Sequence, residues 1–142
     1  DQAVHPERLY KVSGIGMASI IGTCLSAGYL IAKNYRALGL NRQAKQATLS
    51  SYLGFILWLG LFFIGAETAL VFVPLLFLLQ LILIVLITKN LQGKAITQHE
   101  FNGGRVHSNW LAIIISFIIL QFILMFSTII LLLTSIISDN SL

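Results

Sequence analysis

The residues of this sequence best suited to chemistry lie in one short polar stretch. His99, Glu100 and His107 offer two imidazoles and a carboxylate, and Arg105 adds a guanidinium. Such groups can bind a metal ion or transfer protons. Their spacing matches no metal-binding motif, so we expect no metal and no cofactor, and we interpret the stretch as a solvated loop.

No other arrangement of catalytic residue types is present in the sequence. It contains no phosphate-binding glycine-rich loop followed by lysine, no nucleophile elbow and no His-Glu-x-x-His helix. We therefore predict that the protein is not an enzyme. A membrane-embedded enzyme using His99, Glu100 and His107 is the least favoured alternative.

The composition places the chain in the membrane class. Of its 142 residues, 57% are hydrophobic and only 10% are charged, against about 25% charged in soluble domains. The mean hydropathy is +0.89. The net charge of +4 is explained by basic membrane loops, so we predict no nucleic-acid partner. Cys24 is the single cysteine, which excludes an internal disulfide.

Four apolar segments approach the roughly 20 residues that a helix needs to cross a bilayer. They cover residues 12–32, 49–65, 68–88 and 110–137. The sequence therefore predicts an all-α membrane protein, a single domain of four transmembrane helices in an antiparallel bundle. The loops at 33–48 and 89–109 would then share one face.

The basic residues predict the orientation. Those two loops hold seven of the nine Lys and Arg residues, and the exceptions are Arg8 and Lys11. Because cytoplasmic loops are enriched in Lys and Arg, we predict both loops inside and both termini outside. The expected location is a bacterial cytoplasmic (inner) membrane.

Small residues recur along the first segment. Gly14, Ala18, Gly22 and Ser26 follow one another at intervals of four, which would place them on one side of a helix. Such a row allows close approach of another helix in lipid. We predict that these four form a helix-packing interface.

Two amides interrupt the later segments at similar expected depth. Gln80 lies near the middle of the third segment and Gln121 within the fourth. Hydrocarbon offers an amide no hydrogen-bond partner. The two could bond to each other or to a backbone carbonyl, or face a polar path or a partner's helix.

Basic residues on the inner loops are suited to anionic lipid headgroups. The predicted headgroup contacts are Arg36, Arg42, Lys45, Lys94 and Arg105. Membrane lipids are therefore expected partners, together with another membrane protein or further copies of this chain.

The stretch Ala27-Gly28-Tyr29-Leu30-Ile31-Ala32-Lys33-Asn34-Tyr35-Arg36-Ala37-Leu38-Gly39 resembles a group of small polytopic bacterial membrane proteins. These carry a similar Gly-Tyr-Leu, Asn-Tyr-Arg-Ala-Leu-Gly pattern after their first span. The stretch from His99 to Trp110 is also similar to theirs. The resemblance implies a bacterial multi-span protein and no particular activity.

Two functions are consistent with these features. We favour a non-enzymatic protein that acts by helix–helix contact, as an accessory subunit of a membrane complex or as an immunity-type protein. The alternative is a small pore or carrier formed by self-association, with a polar file of Gln80, Gln121, Ser116, Ser127 and Thr128.

Overall fold

The computed structural model describes residues 8–64 and 69–139. Its elements in chain order are β1 (Leu9–Tyr10), α1 (Val12–Ala37), α2 (Asn41–Ile64), α3 (Ala69–Phe101), β2 (Val106–His107) and α4 (Asn109–Asp139). The all-helical prediction is confirmed. The predicted turn between the second and third segments falls on residues 65–68, outside the described part.

The helix α1 is broken in its middle. Gly22 has φ −109° and ψ 21°, and Thr23 has φ 61° and ψ −168°. The conformation of Thr23 lies in a region that only glycine adopts without strain. The break divides α1 into a first arm, residues 12–21, and a second arm, residues 24–37.

The two arms of α1 fold back against each other. The Tyr10 amide donates to Asn34 Oδ1 at 2.7 Å, and Asn34 Nδ2 donates to the Tyr10 carbonyl at 2.9 Å. A continuous helix would separate these residues by about 36 Å. Residues 12–37 therefore form a helical hairpin with its turn at Gly22–Thr23, so the segment predicted as the first span, residues 12–32, is not one continuous helix.

The hairpin brings β1 to the same end of the molecule as the loop between α3 and α4. Leu9 pairs with Val106 and Tyr10 with His107 in a short parallel ladder. The segment at residues 8–11 therefore lies beside one of the basic loops. The prediction that the chain before α1 lies on the opposite face from both loops is not correct for these residues.

The hairpin occupies the centre of the fold. It contacts α2, α3 and α4, whereas within the described ranges those three helices touch one another little. Its buried side chains include Ile15, Ala18, Ala27 and Leu30. The other helices are arranged around its two arms, and their far halves extend beyond its turn.

Among the described residues, three helical stretches are long and apolar enough to cross a membrane: Val12–Ala37, Pro74–Phe101 and Asn109–Ile130. The first of them is divided by the break at Gly22–Thr23. Much of the predicted inner loops is helix, because α1 and α2 are joined by a turn at 38–40 and α3 continues to Phe101. The irregular part of the second loop is limited to residues around 102–108.

Candidate functional site

All nine Lys and Arg residues lie in the segments that meet at one end of the molecule, which we call the basic end. They are Arg8, Lys11, Lys33, Arg36, Arg42, Lys45, Lys89, Lys94 and Arg105. The five predicted headgroup contacts are all exposed. Among the described residues the one ion pair joins Lys11 Nζ to Glu100 at 2.9 Å, so the basic end carries a large excess of positive charge.

A buried polar network fixes the basic end. Asn34 is fully buried and donates to Gln92 Oε1 at 3.1 Å as well as to Tyr10. Gln92, 1% exposed, donates in turn to the Ile31 carbonyl at 2.9 Å. This network joins β1 and the second arm of the hairpin to α3, and neither amide was singled out by sequence reasoning. The sequence did offer one signal for this network, because Asn34 and Gln92 are amide side chains that lie within long helical segments.

The four polar residues His99, Glu100, Arg105 and His107 do not form one site. They take part in separate contacts in the structure. His99 Nε2 lies 3.1 Å from the Arg105 carbonyl, Glu100 pairs with Lys11, and His107 stacks on Tyr10 with ring centroids 4.3 Å apart. Desolvation, with smaller contributions from the charges of Lys33 and Arg8, lowers the pKa of His107. Within the described ranges, no three His, Cys, Asp or Glu residues are grouped to hold a metal.

The four predicted packing residues are all buried, but the hairpin divides them. Gly14 and Ala18 lie on the first arm and Ser26 on the second. A methyl group on Gly14 would meet the Asn109 side chain, and one on Gly22 would meet Ser26 and the Ser116 carbonyl. These residues therefore serve contacts within this chain, at the turn of the hairpin and against α4.

Two other glycines make close approaches to neighbouring helices that sequence reasoning missed. A Cβ on Gly28 would overlap the Ser51 side chain of α2, and one on Gly16 would lie 2.8 Å from Val85 Cγ2 of α3. Gly28 belongs to the quoted Ala27-Gly28-Tyr29 stretch, which was the available signal. These glycines let α2 and α3 approach the hairpin closely.

Gln80 forms a hydrogen bond beside the turn of the hairpin. It is 8% exposed, and its Nε2 donates to the Ser19 carbonyl at 2.7 Å. Ser19 lies in the last turn of the first arm, where helical carbonyls lack partners within the helix. Gln80 Oε1 is buried with no hydrogen-bond partner. Of the predicted roles for this amide, the structure therefore shows the bond to a backbone carbonyl.

Gln121 is not brought together with Gln80. It is exposed on α4, as are Ser127 and Thr128, whose hydroxyls donate to the carbonyls of Ile123 and Leu124. Ser116 is buried and donates to the Ala112 carbonyl. The predicted polar file is thus divided between the hairpin's surroundings and the free surface of α4.

Comparison with known proteins adds no relative. No family model matches the chain, and no curated protein or solved structure matches it either. The class is therefore defined by the fold alone. It is a helical protein in which, among the described residues, α1, α3 and α4 are long and apolar enough to span a membrane, and α1 is folded into the central hairpin.

Proposed function

We propose that this chain is a non-enzymatic integral membrane protein that acts by helix–helix contact. Its role would be that of an accessory subunit of a membrane complex or an immunity-type protein in a bacterial inner membrane. The observation that carries the proposal is an exposed amide, Gln121, in the middle of a helix that the described part of the chain leaves largely uncovered.

The distribution of charge supports an orientation in the membrane. With the hairpin closed, no Lys or Arg remains outside the basic end, so the positive-inside rule is obeyed by all nine. We place the basic end in the cytoplasm. The first arm of α1 then enters the membrane for about 15 Å, half of a roughly 30 Å hydrocarbon core, and the second arm returns.

The helix α4 has little cover from the other described residues of its chain. Only 6% of its most apolar window is buried, and its contacts with the hairpin lie near its beginning, at Ala112 and Ser116. Gln121 follows Asn109 by twelve positions, or about 18 Å of helix. An amide at this depth needs a partner that lipid cannot supply. A helix of another membrane protein, carrying a polar side chain, satisfies this need.

The test is co-purification in a mild detergent with Gln121→Leu and Gln80→Leu as a matched pair. We expect Gln121→Leu to weaken retention of the partner, since interhelical hydrogen bonds contribute about 0.6 and up to roughly 2 kcal/mol. Gln80→Leu should leave the partner bound, because its amide faces Ser19. Recovery of the wild-type chain as a lone monomer in several mild detergents would contradict the proposal.

Self-association into a pore or carrier is the second candidate. Gln121 and Thr128 are seven positions apart on exposed α4, which places them on the same side of the helix. Copies that meet through this side would bring their Gln121 amides together. Reconstituted liposomes should then show solute flux that falls in Gln121→Leu, and flux that is equal in wild type and variant would exclude this candidate.

A further inference from the structure

A long groove lies between α2 and α3. Both helices pack on the hairpin, and over the described side chains they make little contact with each other apart from one ring pair. The space between them has a volume of about 600 Å³. The second arm of the hairpin forms its floor through Cys24, Ala27, Gly28 and Ile31. Trp58, whose ring lies edge-on to Phe77 at 5.4 Å, lines it towards the far end.

The lining of the groove changes along its length. Near the basic end it includes Gln43, Gln46 and Ser50, and towards the far end Leu57, Leu61 and Leu76. Gln43 and Leu61 are separated by 18 residues of α2, or about 27 Å. The groove is therefore amphipathic, with its polar end at the proposed membrane surface and its apolar part in the hydrocarbon.

Two basic side chains continue the groove beyond its polar end. Arg42 precedes Gln46 by one helical turn, and Lys94 follows Leu91 by one turn, so each lies on the same side of its helix as a lining residue. Both are exposed, and in the part of the chain that the structure describes neither forms an ion pair. They provide positive charge where an anionic group would lie.

We propose that this groove binds one anionic glycerophospholipid, with an acyl chain along the apolar wall and the phosphate between Arg42 and Lys94. The basic side chains complement an anionic headgroup, and the lining changes from amide to leucine side chains along the groove. Both features favour an amphiphilic ligand over a wholly apolar one. The site is separate from the exposed surface of α4, so it can be tested independently of the proposed contact function.

The experiment uses the fluorescence of Trp58, isolated by Trp110→Phe because the chain contains two tryptophans. The protein is reconstituted in phosphatidylcholine vesicles containing a small, equal fraction of brominated phosphatidylglycerol or brominated phosphatidylcholine. Brominated phosphatidylglycerol should quench Trp58 more strongly. Since each basic side chain near an anionic surface contributes roughly a fivefold gain in affinity, Arg42→Gln with Lys94→Gln should reduce the preference by about tenfold or more.

Lys45→Gln with Lys89→Gln is the matched control. It removes the same charge from the same two helices, but these side chains stand two positions from Gln43 and Leu91 and so face away from the groove. The control pair should keep most of the preference. Equal quenching by the two lipids, or an equal loss in both pairs, would overturn the proposal.

A second measurement does not depend on charge. Leu79 lines the groove and is 50% exposed, while Leu78 is 54% exposed and does not line it. Mass spectrometry of protein purified from a phosphatidylglycerol and phosphatidylcholine mixture should find phosphatidylglycerol retained by Leu78→Trp and lost from Leu79→Trp. Equal retention by both variants, or a bound polypeptide in place of lipid, would count against the site.

Discussion

Tyr10 and Asn34 are joined by two hydrogen bonds of 2.7 and 2.9 Å, although 24 positions of mostly helical chain lie between them. This pairing is possible only because α1 reverses at Gly22–Thr23. It places the beginning of the described chain beside the basic loops, and it makes one face of the protein carry all nine Lys and Arg residues.

The first prediction concerns sidedness. In a chain with Cys24→Ser, we expect single cysteines at Arg8, Leu40 and Arg105 to react with a membrane-impermeant maleimide from the same side of oriented vesicles. A cysteine at Leu133, near the far end of α4, should react from the other side. Labelling of position 8 and position 105 from opposite sides would show that α1 crosses the membrane once.

The second prediction uses Thr23. In a regular helix, alanine is more stable than glycine by about 1 kcal/mol. At φ 61° and ψ −168° the order should reverse, because only glycine adopts this conformation without strain of roughly 1–3 kcal/mol. Denaturation in detergent should therefore find Thr23→Gly more stable than Thr23→Ala. The opposite order would indicate a continuous helix.

The third prediction concerns the buried amide of Asn34. Asn34→Ala leaves the Tyr10 amide and carbonyl and Gln92 Oε1 without their present partner. Each buried group left unsatisfied costs about 1–3 kcal/mol, so the three groups together should lower the unfolding free energy by roughly 3 kcal/mol or more. Asn90→Ala, at an exposed position of α3, is the control and should change it by less than about 0.5 kcal/mol.

The fourth prediction tests the close contact between the hairpin and α2. Gly28→Ala would force its methyl group into the Ser51 side chain, and overpacking of this kind costs about 1–3 kcal/mol. Adding Ser51→Gly removes the obstructing atoms, so the double variant should regain most of the lost stability. If the double variant were no more stable than Gly28→Ala alone, the close contact between Gly28 and Ser51 would be contradicted.

The fifth prediction is a pH dependence at the β1–β2 ladder. The pKa of His107 is lowered from its ordinary value of 6.5, so the unfolded segment binds the proton more readily than the folded one. The contribution of His107 is therefore complete above about pH 6.5 and is lost below it, as the pH falls through the lowered pKa of the folded state. Hydrogen exchange at Leu9, corrected for intrinsic rates, should accelerate at pH 5 relative to pH 8. His107→Phe should abolish this change.

The sequence was sufficient for the helical class because apolar length and charge density are properties of composition. It was not sufficient for the hairpin, since no proline or polar run interrupts residues 12–32. The reversal depends on bonds to distant partners, such as Gln80 with Ser19 and Asn34 with Tyr10. One local clue was available, because Arg8 and Lys11 were the only exceptions to the predicted charge pattern.

The sequence indicated which kinds of residue form the candidate sites, but it did not indicate how these residues are arranged. Amides were expected to need partners, but periodicity alone did not show that Gln80 serves a carbonyl while Gln121 faces outward. The groove between α2 and α3 was not foreseen, because it exists only where the central hairpin keeps two helices apart.

The parallel pairing of Leu9 with Val106 has a consequence for biogenesis. The ribosome synthesises the hairpin before α2, α3 and β2. The strand β2, which pairs with β1, is therefore made after the hairpin. Until α3 and β2 have been synthesised, Tyr10 has no ladder partner and Asn34 lacks Gln92. The final closure of the hairpin must therefore follow the insertion of α3, so the first helix of the chain is one of the last to reach its native contacts.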